Sequence, residues 1–284
     1  MKLIECPRDA MQGISTFIPT AKKAAYINQL LRVGFDTIDF GSFVSPKAIP
    51  QMSDTAAVLD QLDMSATSTR LLAIVANVRG AEQAVQYASI AYLGFPLSIS
   101  ETFQQRNTNK SIGEALNEVE RIQELCVKSN KELVCYISMG FGNPYGDPYD
   151  AGIVGHMVEK LKTRGIRIIS LADTVGVSSP PLIVQLFTEM KASFPNMEFG
   201  AHLHSHPAKA VEKIAAAFQA GCDRFDGALN GLGGCPMANE DLVGNLATET
   251  ILAYLQEKGA APALNCAELT QALALAAEVF PKIV

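Results

Sequence analysis

The chain has 284 residues, 48% of them apolar and 18% charged, with a net charge of −6 at pH 7. That length and apolar content support a large core under an ordinary charged surface, as in one α/β barrel domain over residues 1–284. The acidic balance and the scattered basic residues exclude non-specific binding to nucleic acid or a membrane surface, and no apolar run is long enough to cross a membrane.

Met1 leads directly into an apolar, strand-like segment, so neither a signal peptide nor a transit sequence is expected, and the cytoplasm is the expected compartment. From there short β-type runs alternate with helical patterns. A strand at Lys2–Cys6 precedes a helix at Thr20–Val33, which stops at Gly34. Strand Thr37–Phe40, helix Asp54–Leu62, strand Leu71–Ala76, helix Ala81–Ala88, strand Ile90–Ile99 and helix Gly113–Ser129 follow. The second half reads Leu133–Ser138 (strand), Asp150–Arg164 (helix), Arg167–Leu171 (strand), Pro180–Ser193 (helix), Glu198–His204 (strand) and Ala208–Ala220 (helix). Strand Arg224–Ala228, helix Asn245–Lys258 and a last helix at Ala267–Phe280 complete the series. Eight strands, each followed by a helix, predict a (β/α)8 TIM barrel with an additional C-terminal helix. A doubly wound open sheet is the competing arrangement, but no Gly-x-Gly-x-x-Gly turn follows the first strand. The six cysteines (6, 126, 135, 222, 235 and 266) show no C-x-x-C pair and read as reduced thiols.

In such a barrel the chemistry gathers where strands end and loops begin. Those positions hold Arg8-Asp9, Asp39 with Ser42, Asp173, and His202-Leu203-His204. The two histidines lie two apart on a strand, so both rings project to one face and can reach one cation. Asp9 can add a carboxylate, and Asn245, at the predicted start of the eighth helix, an amide oxygen. This donor set suits Mg²⁺ or Mn²⁺ and also admits Zn²⁺. The plain alternatives are a pair of buried, hydrogen-bonded histidines, a helix-capping aspartate and a turn asparagine. Arg8 can stabilise negative charge developing on a carbonyl oxygen. Asp39 and Asp173 are rim carboxylates that could also partner Arg8 or a histidine. Gly231-Leu232-Gly233-Gly234-Cys235-Pro236 reads as a sharply shaped loop carrying one thiol, with a flexible turn and an incidental cysteine as the bland reading. Cys235 would be reactive only with a lowered pKa or a neighbouring base.

These residues resemble the 3-hydroxy-3-methylglutaryl-CoA (HMG-CoA) lyase family over essentially the whole chain. The resemblance rests on Pro7-Arg8-Asp9 with Gln12, Ser42–Lys47, Asn107-Thr108-Asn109, Asp173–Gly176, His202-Leu203-His204, the Gly231–Pro236 loop and Gly244–Glu249. It implies metal-dependent cleavage of HMG-CoA, or a similar acyl-CoA, to acetyl-CoA and acetoacetate, with Mg²⁺ or Mn²⁺ as the expected cation and a homodimer as the expected assembly. By the same resemblance Asp9, His202, His204 and Asn245 match the metal ligands and Arg8 the enolate-stabilising arginine. Cys235 matches the loop cysteine of proton transfer, Gln12 a site residue after the first strand, and Ser42 and Asp173 polar residues around the acyl group. Asp39 is a further candidate substrate-binding residue, and the chemistry makes Asp9 or His202 the candidate base.

Departures are few. Asp39 stands where the family usually has glutamate, and Ser205-His206-Pro207-Ala208 replaces a segment that begins with a carboxylate, which alters the surroundings of the metal-binding rings. His206 reads more simply as a surface or packing residue than as a relay, and His156 as a surface residue. A related carbon–carbon lyase or Claisen-type condensing enzyme, and a non-catalytic acyl-CoA-binding relative, are the competing functions.

Overall fold

The computed structural model describes residues 1–234 and 243–280. The first half comprises β1 (Lys2–Glu5), α1 (Pro7–Gln12), α2 (Thr20–Val33), β2 (Thr37–Ser42), α3 (Thr55–Leu59), β3 (Arg70–Ile74), α4 (Val78–Ala84), β4 (Ile90–Ser98), α5 (Glu101–Thr108) and α6 (Ile112–Lys128). The second half comprises β5 (Glu132–Ser138), α7 (Ala151–Thr163), β6 (Ile168–Asp173), α8 (Pro180–Ser193), β7 (Glu198–Ser205), α9 (Pro207–Gln219), β8 (Arg224–Gly227), β9 (Gly244–Asn245), α10 (Thr248–Glu257) and α11 (Cys266–Val279).

Strands β1 to β8 pair in parallel in chain order, and β1 also pairs with β8, so the sheet closes on itself as a (β/α)8 barrel. Alternation along each strand divides the apolar residues between two regions. Leu71 and Ala73 of β3 join the large cluster under the outer helices, whereas Leu72 and Ile74 join Tyr92, Val134, Tyr136 and Ile168 in a smaller one.

Every expected strand is present, and three features differ from the sequence expectation. Residues Pro7–Gln12 form a short helix directly after β1. Its Arg-Asp pair breaks any apolar pattern, but proline at the first helical position needs no hydrogen-bonded N–H there. Helix α5 carries a single buried apolar side chain, Phe103, and is instead started by the Ser100 hydroxyl, which accepts from the Phe103 N–H at 3.1 Å. Asn245 does not open a helix. It lies on β9, antiparallel to β7 with Asn245 opposite His204, and α10 begins three residues later.

Candidate metal centre and active-site cavity

The turn from β1 into α1 aims Arg8, Asp9 and Gln12 at the end of the barrel where β7 presents His202 and His204. One ligand atom from each of Asp9, His202 and His204 lies within 4.8 Å of the others. The two imidazoles face each other through Nε2, 3.4 Å apart. These side chains line a cavity of about 440 Å³ together with Arg8, Gln12, Tyr136, Ser138, Thr174, Arg106 and Thr108, and with apolar groups including Val44, Ile49 and Phe103.

Arg8 is buried and ties the centre together. Its Nη2 lies 2.6 Å from Asp39 Oδ2, its Nε 3.1 Å from the same oxygen, and its Nη1 donates to Asp9 Oδ1 at 3.0 Å and Gln12 Oε1 at 2.8 Å. A guanidinium has five N–H donors, and four are used here, so one on Nη2 has no partner among the described residues, and Arg8 lines the cavity. Burial alone would push the Asp9 carboxyl up. Arg8 and the two nearby imidazoles outweigh it and hold Asp9 at about 2, ionised under ordinary conditions.

The histidines differ in their other nitrogen. His202 Nδ1 lies 3.1 Å from Asp226 Oδ2. Burial works against a charged His202 ring, but the Asp226 contact prevails and raises its pKa. His204 Nδ1 is buried with no hydrogen-bond partner among the described residues. Burial, reinforced by His202, lowers His204 to about 4 and keeps it neutral.

The remaining candidates divide between the cavity and its supports. Gln12 lines the cavity and donates to Asp9 Oδ1 at 2.5 Å. Asp39 is turned onto Arg8, and the Ser42 hydroxyl donates to the Ile74 carbonyl at 3.1 Å, so both are held by buried partners and neither lines the cavity. Asp173 accepts from the Val177 N–H, the Ser178 N–H and hydroxyl, and Lys213 Nζ. These contacts organise the loop after β6, and only its neighbours Ala172 and Thr174 reach the cavity. Asn245 meets the centre through its amide nitrogen, which donates to Asp9 Oδ2 at 2.7 Å and the Leu232 carbonyl at 2.8 Å. Ligation through its oxygen therefore requires the amide to turn over. Cys235 lies outside the described residues. The start of its loop does not: Gly233 has φ +89°, and a Cβ there would lie 2.7 Å from the Asp9 carbonyl oxygen and 2.8 Å from Asn245 Nδ2. Only glycine fits that close approach.

The HMGL-like family model matches residues 3–276. The hydroxymethylglutaryl-CoA lyase YngG of Bacillus subtilis is 35% identical over 88% of this chain and 83% of its own length. The mitochondrial hydroxymethylglutaryl-CoA lyase of Mus musculus is 31% identical over 96% of this chain and 83% of its own. The chain belongs to the HMG-CoA lyase family. Its fold superimposes on the Bacillus subtilis HMG-CoA lyase with a TM-score of 0.90, at 33% identity over 98% of this chain and 92% of that one. An HMG-CoA lyase from Acinetobacter baumannii, solved in complex with coenzyme A and 3-methylmalate, gives 0.88 at 30% identity over 97% and 90% of the two chains.

For an HMG-CoA lyase family member, two residues at the centre stand out that strand patterning alone did not reveal. Asp226 reads as one polar residue in a short strand, and Tyr136 as one aromatic in an apolar run. Only barrel closure puts Asp226 against His202, and the Tyr136 ring edge-on to it with centroids 5.5 Å apart. The alternation of side chains on β8 and β5 was the available signal. His206 instead caps α9, accepting from the Ala208 N–H at 3.3 Å, and His156 is an exposed residue of α7.

Proposed function

We propose that this chain is a hydroxymethylglutaryl-CoA lyase, cleaving HMG-CoA to acetyl-CoA and acetoacetate with the help of a divalent cation. The observation that carries the reading is the convergence of Asp9, His202 and His204 beside the Arg8 guanidinium in one cavity wall. The donors fit a cation: two ring nitrogens 3.4 Å apart, facing each other next to an ionised carboxylate, are satisfied together by one positive centre. Asp9, His202 and His204 would hold Mg²⁺ or Mn²⁺, joined by Asn245 once its amide oxygen is turned inward. The cation supplies Lewis acidity toward the substrate hydroxyl.

The chain's own groups supply the remaining chemistry. The hydroxyl proton passes to the Asp9 carboxylate in the cavity wall. His202, the other candidate base, has Nδ1 on Asp226 and Nε2 toward the cation, which leaves it no lone pair for the task. As the bond between the acetyl carbon and the hydroxyl-bearing carbon breaks, its electron pair moves onto the thioester oxygen. The remaining Nη2–H of Arg8 donates to that oxygen and lowers the energy of the enolate. A proton then returns to the acetyl carbon, and Cys235 is the assigned donor because the start of its loop packs on Asp9 and Asn245. Gln12 orients the acyl group through the same wall. Arg106 and Thr108 give the cavity polar donors suited to an acyl-CoA, and the Acinetobacter relative was solved in complex with coenzyme A. A homodimer acting in the cytoplasm belongs to the same reading.

The test is incubation of the purified, reduced protein with HMG-CoA and Mg²⁺ or Mn²⁺, with and without chelator. Acetoacetate and acetyl-CoA should appear in equal amounts, and only with metal. Cys235→Ala should cut turnover by at least ~100-fold, the scale expected when a proton donor is lost, with metal content unchanged. No cleavage of HMG-CoA sinks the reading, and cleavage or condensation of a different acyl-CoA would replace it with a related carbon–carbon bond reaction.

A further inference from the structure

Beneath the metal centre a line of charged side chains runs down the barrel interior. Lys2 Nζ lies 2.5 Å from Glu198 Oε2, and Glu198 Oε1 lies 3.5 Å from Arg224 Nη1. Arg224 Nη2 lies 3.7 Å from Asp226 Oδ1, and Asp226 Oδ2 lies 3.1 Å from His202 Nδ1. The line therefore reaches from the N-terminal end of β1 to a proposed metal ligand. Its members come from neighbouring strands: Lys2 is paired in register with Arg224 across β1 and β8, and Arg224 with Gly200 across β8 and β7.

Arg224 is the member that needs explaining. It is 1% exposed, and burying a guanidinium costs more than its ion pairs usually return, so an apolar residue would serve stability as well. The barrel nevertheless makes room for it. A Cβ on Gly200 would lie 2.7 Å from Arg224 Cγ and 3.0 Å from its Cδ, so glycine at that position is what lets the side chain pass. The Asp226 carboxylate depends on it. Oδ2 is shared between His202 and the Ser170 hydroxyl, at 3.1 and 3.3 Å, whereas Oδ1 and Arg224 Nη2 have no hydrogen-bond partner among the described residues and form an ion pair with each other at 3.7 Å. Among the described residues His204 has no such support, since its Nδ1 has no hydrogen-bond partner there. The ring geometry of the centre thus hangs on the Asp226 side alone.

We propose that Arg224 is a positioning residue for His202: it fixes the Asp226 carboxylate so that the His202 proton stays on Nδ1 and Nε2 is presented to the cation. Glu198 and Lys2 complete the charge balance, and Gly200 keeps the path open. This rests on the reading of His202 as a metal ligand given above.

The experiment compares wild type with Arg224→Met, Arg224→Lys and Gly200→Ala, each as the full chain. In metal-free protein, ring ¹⁵N NMR of His202 reads the tautomer. In the same samples, titration with Mn²⁺ alone reads affinity. Arg224→Met should move the His202 signals away from the Nδ1–H pattern and weaken Mn²⁺ binding about tenfold, the low end for loss of a ligand's supporting partner. Arg224→Lys should restore most of both. Gly200→Ala, which keeps the charge but displaces it, should reproduce part of the shift. Wild-type ring signals and Mn²⁺ affinity in Arg224→Met, with only a lower melting temperature, would make the residue structural and overturn the proposal. If Arg224→Met does not fold, Gly200→Ala decides, and wild-type ring signals there overturn it. Because the ring signals need neither metal nor substrate, absence of HMG-CoA cleavage would sink the proposed function and leave this inference standing.

Discussion

His202 and His204 are two residues apart on one strand, point to one face and meet at one place, yet the protein treats them in opposite ways. His202 has a carboxylate on its far nitrogen and is drawn toward the charged form, while His204 has no partner there among the described residues and is held neutral at ordinary pH. Identical side chains two residues apart on one strand are therefore not equivalent. One is oriented by a buried ion-pair line, and the other by burial and backbone position alone. Lys213 contributes to that backbone position, since its Nζ donates to the His204 carbonyl at 3.0 Å while pairing with Asp173.

The widest break in the comparison comes from removing each ring. His202→Ala and His204→Ala should both reduce Mn²⁺ affinity and turnover by more than the ~10–100-fold that loss of a supporting residue costs. A variant that keeps its metal would show that its ring is no ligand. The two should part in stability. His202→Ala takes from Asp226 Oδ2 one of its two donors in the barrel interior, a loss of about 1–3 kcal/mol, whereas His204→Ala abandons no partner at Nδ1. Urea unfolding of the two metal-free variants checks this, and equal losses would mean that Asp226 does not depend on His202.

A smaller effect tests the support directly. Asp226→Asn should weaken Mn²⁺ binding by ~10–100-fold, because an amide can present a donor to Nδ1 and turn the ring to the wrong tautomer. Its effect should vanish in a His202→Ala background and persist in a His204→Ala background. Persistence in both would place Asp226 in general packing.

Much of this is legible in the sequence. Strand alternation put His202 and His204 on one face, and the strand-end rule gathered Arg8 and Asp9 beside them. The sequence could not show which polar groups turn inward. Asp39, Ser42 and Asp173 sit at strand ends just as Asp9 does, but buried partners capture each one: Arg8, the Ile74 carbonyl and Lys213. Asp226 was hidden for the converse reason. Its partner lies 24 residues away on the neighbouring strand, so only the closed sheet reveals the pair. Asn245 was misplaced because the two-residue strand that carries it has too few residues to show any period.

The finest distinction is a matter of protons. In the metal-free protein His204 titrates near 4, below the 6.5 of an ordinary imidazole, so the unfolded chain binds the extra proton first. Its contribution to stability is intact above pH 6.5 and is lost as pH falls from 6.5 toward 4. His202, raised above 6.5, acts in the other direction: the folded state holds the proton more tightly, and that stabilisation, full below 6.5, is lost as pH rises through the raised value. His204→Asn should therefore flatten the acid side of the stability profile and leave the neutral side sloped. The same asymmetry governs cation uptake. A ligand nitrogen must be free of its proton, so Mn²⁺ binding just above pH 6.5 should release up to about one proton, coming from His202 and not from His204. Calorimetry in buffers of different ionisation enthalpy measures that release. It should persist in His204→Asn and disappear in His202→Asn, and release that follows His204 instead would reverse the assignment of the two rings.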